Sequence, residues 1–265
     1  MIKIIKKILL QLGLFNVVKF SKLASLYQYF FKPQKRKAFL KELEFYQSFL
    51  PPVKLIFDIG ANDGHKTVVF KKLAKKVVAC DPDPHNLSIL KARFRNNKNI
   101  DIVPYAVTDH IGESQFFIQQ PGSALNSINP QWKTILEEQN NNRWNEPIQF
   151  TDTVLNVKTI TLDALIAQHG VPDFIKIDVE GNEKYVLKGL SHPVNYISYE
   201  VLLPEFLNDA VDSMDLILAN NNNTVFNYAV EEKMLLPQFL NPVDFKQLLS
   251  TLTIAHLEII AKAQQ

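Results

Sequence analysis

The chain has 265 residues, 46% hydrophobic and 21% charged, a globular composition that excludes a disordered or fibrous chain and suffices for a sizeable core. Its single cysteine, Cys80, excludes an intramolecular disulfide and fits a reducing, cytoplasmic setting. The net charge of +2 hides an asymmetry: residues 1–41 hold ten Lys/Arg and no Asp/Glu, leaving 19 basic and 27 acidic residues, a net of −8, in the rest.

Within the basic arm, Ile4, Ile5, Ile8, Leu9 and Leu12 fall on one helical face, with Lys3, Lys6 and Lys7 elsewhere. Gln11 and Asn16 interrupt the apolar run and no small-residue cleavage site follows, so an amphipathic helix is expected rather than a secretory signal. The run is too short and too polar to span a bilayer. Such a helix packs on the body or a partner chain, or lies on an anionic membrane surface, which would put residues 1–41 at the inner face of the membrane. KRKAFLKELEFYQSFL has helical periodicity and stops before Pro51-Pro52. The expected division is a basic helical N-terminal extension, 1–50, and a body, 51–265.

From there the signals alternate. VKLIFDIG (53–60) reads as a buried strand, HKTVVFKKLAKK (65–76) as a helix, KVVACD (76–81) as a strand and PDPHNLSILKARFRNN (82–97) as a proline-led helix. IDIVPYAVTD (100–109) and ESQFFIQ (113–119) read as two strands of a hairpin. Residues 119–157 are polar, carry both tryptophans and read as a lid or substrate-binding insertion. TLDALIAQHG is a helix closed by Gly170, DFIKIDVEG a strand, EKYVLKGL a helix and VNYISYEV a strand. A helix around AVDSMDLILANN, a strand at TVFNYAV and a last apolar stretch, IAHLEIIAKA, complete the chain. This alternation implies an α/β fold with a mostly parallel, doubly wound sheet.

The loop GANDGHKT follows the first strand and opens a helix, where open parallel sheets bind ligands. Gly60 and Gly64 tolerate backbone angles that other residues avoid. Asp58 can fix the loop or meet a cationic ligand group. The three-glycine pyrophosphate turn is absent, yet Asp81 closes the second strand about 20 residues on, placed to accept from ribose hydroxyls. A nucleoside without a pyrophosphate matches S-adenosylmethionine.

DIGANDGHKT, CDPDPHNLSIL, AVTDHIGESQFF, TITLDAL, DFIKIDVEGNEKYVLKGL and YISYE occur in this order. Together they resemble the FkbM-type family of S-adenosylmethionine-dependent methyltransferases over about residues 53–202. The resemblance implies a Rossmann-like class I methyltransferase fold and methyl transfer to hydroxyl groups, often of sugars or other secondary metabolites. One departure is Asp81-Pro82, where the family usually has Glu-Pro. The expected cofactor-binding residues are Asp58, Gly60, Ala61, Asn62, Gly64, Thr67, Asp81, Asn86, Ala106, Val107 and Asp109. Of these, Asp109 is in position to meet the adenine amino group, and Ala106 and Val107 to line the ring. His85 and Asn86 also suit a helix cap.

A hydroxyl needs a base or a metal to become a nucleophile. Lys176, Asp178 and Glu180 alternate, so on a strand they share a face. With Glu200 at the end of the next strand, Asp178 and Glu180 can converge on one cleft as the catalytic carboxylates. Glu183 suits the helix start. No histidine accompanies the cluster, and no metal is expected. A small-molecule or glycan acceptor is expected, with Ser123, Asn126, Ser127, Trp132 and Trp144 available to touch it. The acidic body disfavours nucleic acid, which leaves RNA ribose methylation and a non-catalytic S-adenosylmethionine-binding module as the alternatives. Cys80, inside a buried strand, is not a catalytic thiol.

Overall fold

The computed structural model describes residues 15–21, 31–138 and 147–264. In chain order it contains α1 (Phe15–Lys19), α2 (Pro33–Gln47), β1 (Val53–Ile59), α3 (His65–Leu73), β2 (Ala74–Cys80), α4 (Pro84–Phe94), β3 (Ile100–Val103), β4 (Ala106–Val107) and β5 (Gly112–Phe117). There follow α5 (Pro130–Glu138), β6 (Val154–Ile160), α6 (Leu162–His169), β7 (Phe174–Ile177), α7 (Glu183–Lys188) and β8 (Tyr196–Leu202). The chain ends with α8 (Leu207–Asn220), β9 (Thr224–Val230), β10 (Lys233–Met234), α9 (Pro242–Leu249) and β11 (His256–Ala263). The expected helix within residues 1–12 lies outside the described residues.

Eight strands form one sheet in the order β3-β2-β1-β7-β8-β11-β9-β10. β1 pairs in parallel with β2 and β7, and β2–β3 and β7–β8 are parallel too. The last strand, β11, is inserted antiparallel between β8 and β9. This is the expected Rossmann-like sheet of class I methyltransferases. Strand order reverses between β1 and β7, so a crevice opens beyond their carboxyl ends.

The sheet is covered on both faces, which is why its central strands are continuously apolar. Leu55, Phe57, Ile59, Val78 and Cys80 face one core, and Ile56, Val77 and Ala79 the other. α2 belongs to the second core. Its Tyr46 packs edge-on to Phe70 at 4.9 Å and against Phe174 at 5.8 Å.

Three expectations are corrected. The helix after the loop ends at Leu73, because parallel pairing of Ala74 with Val53 and Lys76 with Leu55 draws the good helix formers Ala-Lys-Lys into β2. IDIVPYAVTD is broken at Pro104, which has no N–H to donate, and β4 leaves the main sheet for a small one ordered β4-β6-β5. β5 therefore pairs antiparallel with β6, not in a hairpin with its predecessor. Finally, the 119–157 segment runs into the sheet before its expected end: it holds α5, and β6 already begins at Val154.

Candidate active site

The loop after β1 is shaped first by protein contacts. The N–H groups of Gly60 and Ala61 donate to the Cys80 carbonyl at 3.0 and 2.9 Å, tying the loop to β2. Gly60 has φ +84°, and a Cβ there would sit 1.7 Å from the Asp178 carbonyl oxygen. Only glycine lets the loops after β1 and β7 meet this closely. Gly64, with φ +78°, lies against Leu90 and Phe94 at the start of α3. Asp58 is buried and accepts from Thr67 Oγ1 at 2.5 Å. Burial pushes its carboxyl up to about 6, against the Thr67 bond and Lys176. Asp58 thus fixes the loop from beneath.

A slot opens beside the loop. Its polar lining includes Asp81, Asn86, Asn62 and the backbone of Gly60; its apolar lining includes Ala106, Val107, Phe116 and Ile128. Asp81 Oδ2 accepts from the Asn62 N–H at 2.8 Å, and Oδ1 from the Asp83 N–H at 2.9 Å and from Asn86 Nδ2 at 3.3 Å. A carboxylate offers about four acceptor positions, so about one remains on Oδ2. Asn86 Oδ1 is buried without a partner and supplies another acceptor beside it. Asp83, not Asn86, caps α4, accepting from the His85 N–H. The slot fits a nucleoside: paired acceptors for the ribose diol and apolar walls for a flat base. Burial pushes the Asp81 carboxyl up to about 7 despite its three donors.

Gly60, Asn62, Asp81, Asn86, Ala106 and Val107 thus line the slot, and Ala61 lines the adjoining cavity. Asp58, Gly64, Thr67 and Asp109 line neither. Asp109 is exposed and bonds His110 Nδ1 at 2.9 Å, which holds its carboxyl below the usual range.

The adjoining cavity, about 390 Å³, is lined by Asp63, His65, Lys66 and Glu200, and shares Asp178 and Glu180 with the slot. β7 stops at Ile177, so Asp178 and Glu180 do not share a strand face as alternation implied. They sit in the following loop, which is braced on both sides. The Asp178 N–H donates to the Ile59 carbonyl at 2.9 Å. Ser127 Oγ donates to the Glu180 carbonyl at 2.7 Å, and Asn129 Nδ2 to that of Gly181. Glu183 accepts from the N–H groups of Val179 and Gly181 at 3.1 and 3.3 Å, so it closes the loop, and burial pushes it up to about 7. Glu180 itself has φ +57°, a strained conformation for a non-glycine residue that such bracing sustains.

Lys176 is fully buried with Nζ 3.0 Å from Glu200 Oε1 and 3.6 Å from Asp178 Oδ2. Burial opposes its charge, but Asp178, Glu200 and Glu258 hold the ammonium firmly protonated. Glu200 also meets His256 Nε2 at 2.9 Å and Lys66 at 3.8 Å. Burial would raise its proton affinity; Lys176, His256 and Lys66 overcome this and hold it well below the usual range. The neighbouring pair behaves oppositely. Burial, then the charge of Glu200, raises Asp178, and burial, then Asp178 and Glu200, raises Glu180. Of the three expected carboxylates, Glu200 is a fixed anion, and Asp178 and Glu180 are the ones whose proton affinity is raised.

Ser123, Asn126 and Ser127 also line the slot. Asn126 is spoken for, donating to Asp83 and the Gln120 carbonyl and accepting from the Gln119 N–H. Trp132 is buried, donates from Nε1 to the Leu125 carbonyl at 3.1 Å and packs on Phe206. Trp144 lies outside the described residues. Sequence reasoning passed over His65 and Lys66, although both stand in the HKT that opens α3. It also missed His256, which only the insertion of β11 beside β8 brings to Glu200. Among the described residues no group of His, Cys, Asp and Glu is arranged to hold a metal ion.

A family model described as the methyltransferase FkbM domain matches residues 58–225. Comparison with curated proteins finds no significant match. Solved structures that match include a precorrin-6y C5,15-methyltransferase from Geobacter metallireducens, 10% identical over 87% of this chain and 86% of that one, with a TM-score of 0.43. The plantazolicin methyltransferase BpumL, in complex with a monoazolic desmethylPZN analogue and SAH, is 11% identical over 99% of this chain and 100% of that one, with a TM-score of 0.40. A TehB-like SAM-dependent methyltransferase from Corynebacterium glutamicum is 10% identical over 84% and 88%, with a TM-score of 0.42. The matched family span starts at the aspartate under the loop, runs beyond β8 and takes in more than half the residues: the chain belongs to the FkbM family of S-adenosylmethionine-dependent methyltransferases.

Proposed function

We propose that the protein methylates a hydroxyl oxygen of a carbohydrate or similarly hydroxylated small molecule. The observation that carries this reading is the Asp178–Glu180 pair. Two carboxylates of raised proton affinity sit on the border between the nucleoside-shaped slot and the larger cavity. Asp81 and Asn86 would hold the ribose, and Ala106 and Val107 the adenine. When bound, S-adenosylmethionine supplies an electrophilic methyl carbon. The protein's part is to orient the acceptor and take the hydroxyl proton onto a carboxylate of the Asp178–Glu180 pair. Glu200, fixed by Lys176 and His256, holds the pair's proton affinity up. The clustered acids also disfavour a polyphosphate chain such as RNA as acceptor.

Glu180→Gln is expected to lower kcat by about 10²–10⁴-fold at saturating cofactor, read with labelled S-adenosylmethionine on a panel of polyhydroxylated acceptors. An unchanged kcat, or transfer confined to amino nitrogens, would overturn the proposal.

The basic arm supports a second element of the reading, peripheral contact with an anionic membrane. Lys32, Lys35 and Lys37 are exposed at the start of α2, and among the described residues no helix is long and apolar enough to cross a membrane. Sedimentation with phosphatidylserine vesicles should fall with added salt and weaken when residues 1–30, which hold five of the arm's ten basic residues, are removed. The truncation stops there because α2 carries part of the core. Equal sedimentation with and without the arm would end this idea.

A further inference from the structure

α2 reaches the cofactor loop through one charged side chain. Glu42, only 8% exposed, places Oε1 2.9 Å from Nε2 of His65. Its other oxygen, Oε2, is buried with no partner. A half-satisfied buried carboxylate is costly, so a neutral residue would serve α2 better if packing were its sole task. The one bond Glu42 makes goes to the residue that opens α3, directly after Gly64. His65 in turn lines the larger cavity, as do Lys66, Asp178 and Glu180. The positive end of the α3 dipole adds to the two cations, His65 and Lys66.

The cavity therefore presents cations from one element and carboxylates from another. An amino-acid zwitterion carries the complement of both. We propose that Glu42 is a positioning residue for the cofactor: it aims His65 over the cavity to receive the carboxylate of the methionyl tail, whose ammonium faces Asp178 and Glu180. This rests on the reading that places the adenosine in the slot. It also makes cofactor affinity depend on the N-terminal extension, outside the span that the family model matches. A second, indirect contact supports the coupling. Arg93 of α4, whose guanidinium lies 4.7 Å over the Phe20 ring, donates to the Asp63 carbonyl at 2.7 Å, so Arg93 links the extension to the loop.

The charged groups facing His65 are Glu42 from α2, Asp63 from the loop, Arg93 from α4 and the adjacent Lys66. The bond to Glu42 raises the imidazole, burial opposes this, and the charges of Glu42 and Asp63 outweigh Arg93. The cation therefore persists to higher pH than in an ordinary histidine, and is lost as pH rises through the raised value.

Calorimetry with two probes separates tail recognition from loop order. S-adenosylhomocysteine has the amino-acid tail; 5′-methylthioadenosine has the nucleoside and thioether without it. Glu42→Gln keeps the shape and removes the charge. It should weaken S-adenosylhomocysteine about five- to tenfold and methylthioadenosine less than twofold. It should also move the high-pH loss of S-adenosylhomocysteine affinity to lower pH, a limb that methylthioadenosine lacks. His65→Asn, at an exposed position, should reproduce the loss if Glu42→Gln folds poorly. Unchanged S-adenosylhomocysteine binding, an equal loss for both probes, or a wild type that binds methylthioadenosine as tightly as S-adenosylhomocysteine would overturn the inference and leave the slot standing. A wild type that binds neither would overturn the proposed function as well.

Discussion

Replacing Lys176 by methionine is expected to lower stability by about 3–5 kcal/mol, measured by urea denaturation at pH 8. The side chain has no solvent exposure and compensates Glu200 at 3.0 Å and Asp178 at 3.6 Å. Methionine fills much the same volume, so the loss comes from the stranded anions rather than from a cavity. The sign with pH follows. Without the ammonium the proton affinities of Glu200 and Asp178 rise in the folded state, so the folded protein binds protons that the unfolded chain has released. The penalty is therefore greatest at high pH and eases as pH falls. The double variant Lys176→Met/Glu200→Gln should recover a large part of the loss, and serves as the readout if the single variant does not accumulate. A single variant that loses less than about 1 kcal/mol, or a double variant no better than it, would mean that the cluster is well hydrated and that its charges do not set each other's proton affinity.

Much of the architecture was legible because local and tertiary preferences agree. VKLIFDIG is a strand by composition and is buried on both faces, and Gly170 closes α6 at the expected residue. TVFNYAV matches β9 from end to end. Errors arose where tertiary pairing overrides local preference. Ala74-Lys75-Lys76 favours a helix, yet β1 pairs with it. Val154–Ile160 is a different case: its β-branched residues favour a strand, but it falls at the end of the expected insertion. α9 did announce itself, through Asn241 capping and Pro242 at the first turn. The site divides in the same way. Asp81 and Asn62 follow from strand-end logic. The outward turn of Asp109 depends on His110, and the isolation of Glu200 depends on a lysine beneath it and a histidine 56 positions away in the chain. Spacing in sequence does not encode such neighbours.

Asp81→Asn is expected to weaken S-adenosylhomocysteine binding at least about a hundredfold, since an acceptor built for a ribose hydroxyl becomes an amide. The same change should alter the stability of the unliganded enzyme in the opposite sense. Burial lifts Asp81 from 3.8 to about 7. Between those values the folded protein holds a proton that the unfolded chain has released, so stability falls as pH rises through the window, and above it the whole penalty is present. Asparagine does not titrate. Relative to wild type, the variant should therefore gain on the order of 2–4 kcal/mol between pH 4.5 and 8. Comparing the two proteins across pH cancels any fixed cost of turning an amide toward the Asn62 N–H. Asp58, Asp178 and Glu183 titrate in overlapping ranges but are common to both proteins. Ligand binding gives an independent reading: ribose hydroxyls donating to the carboxylate favour its ionised form, so binding near pH 7 should release protons. Calorimetry in buffers of different ionisation enthalpy should detect that release in the wild type, and it should be smaller in the variant by the share Asp81 contributes. If affinity survives the substitution, the diol is held elsewhere. If affinity is lost but the pH-dependent stability difference is absent, Asp81 holds the ligand without being destabilised by burial.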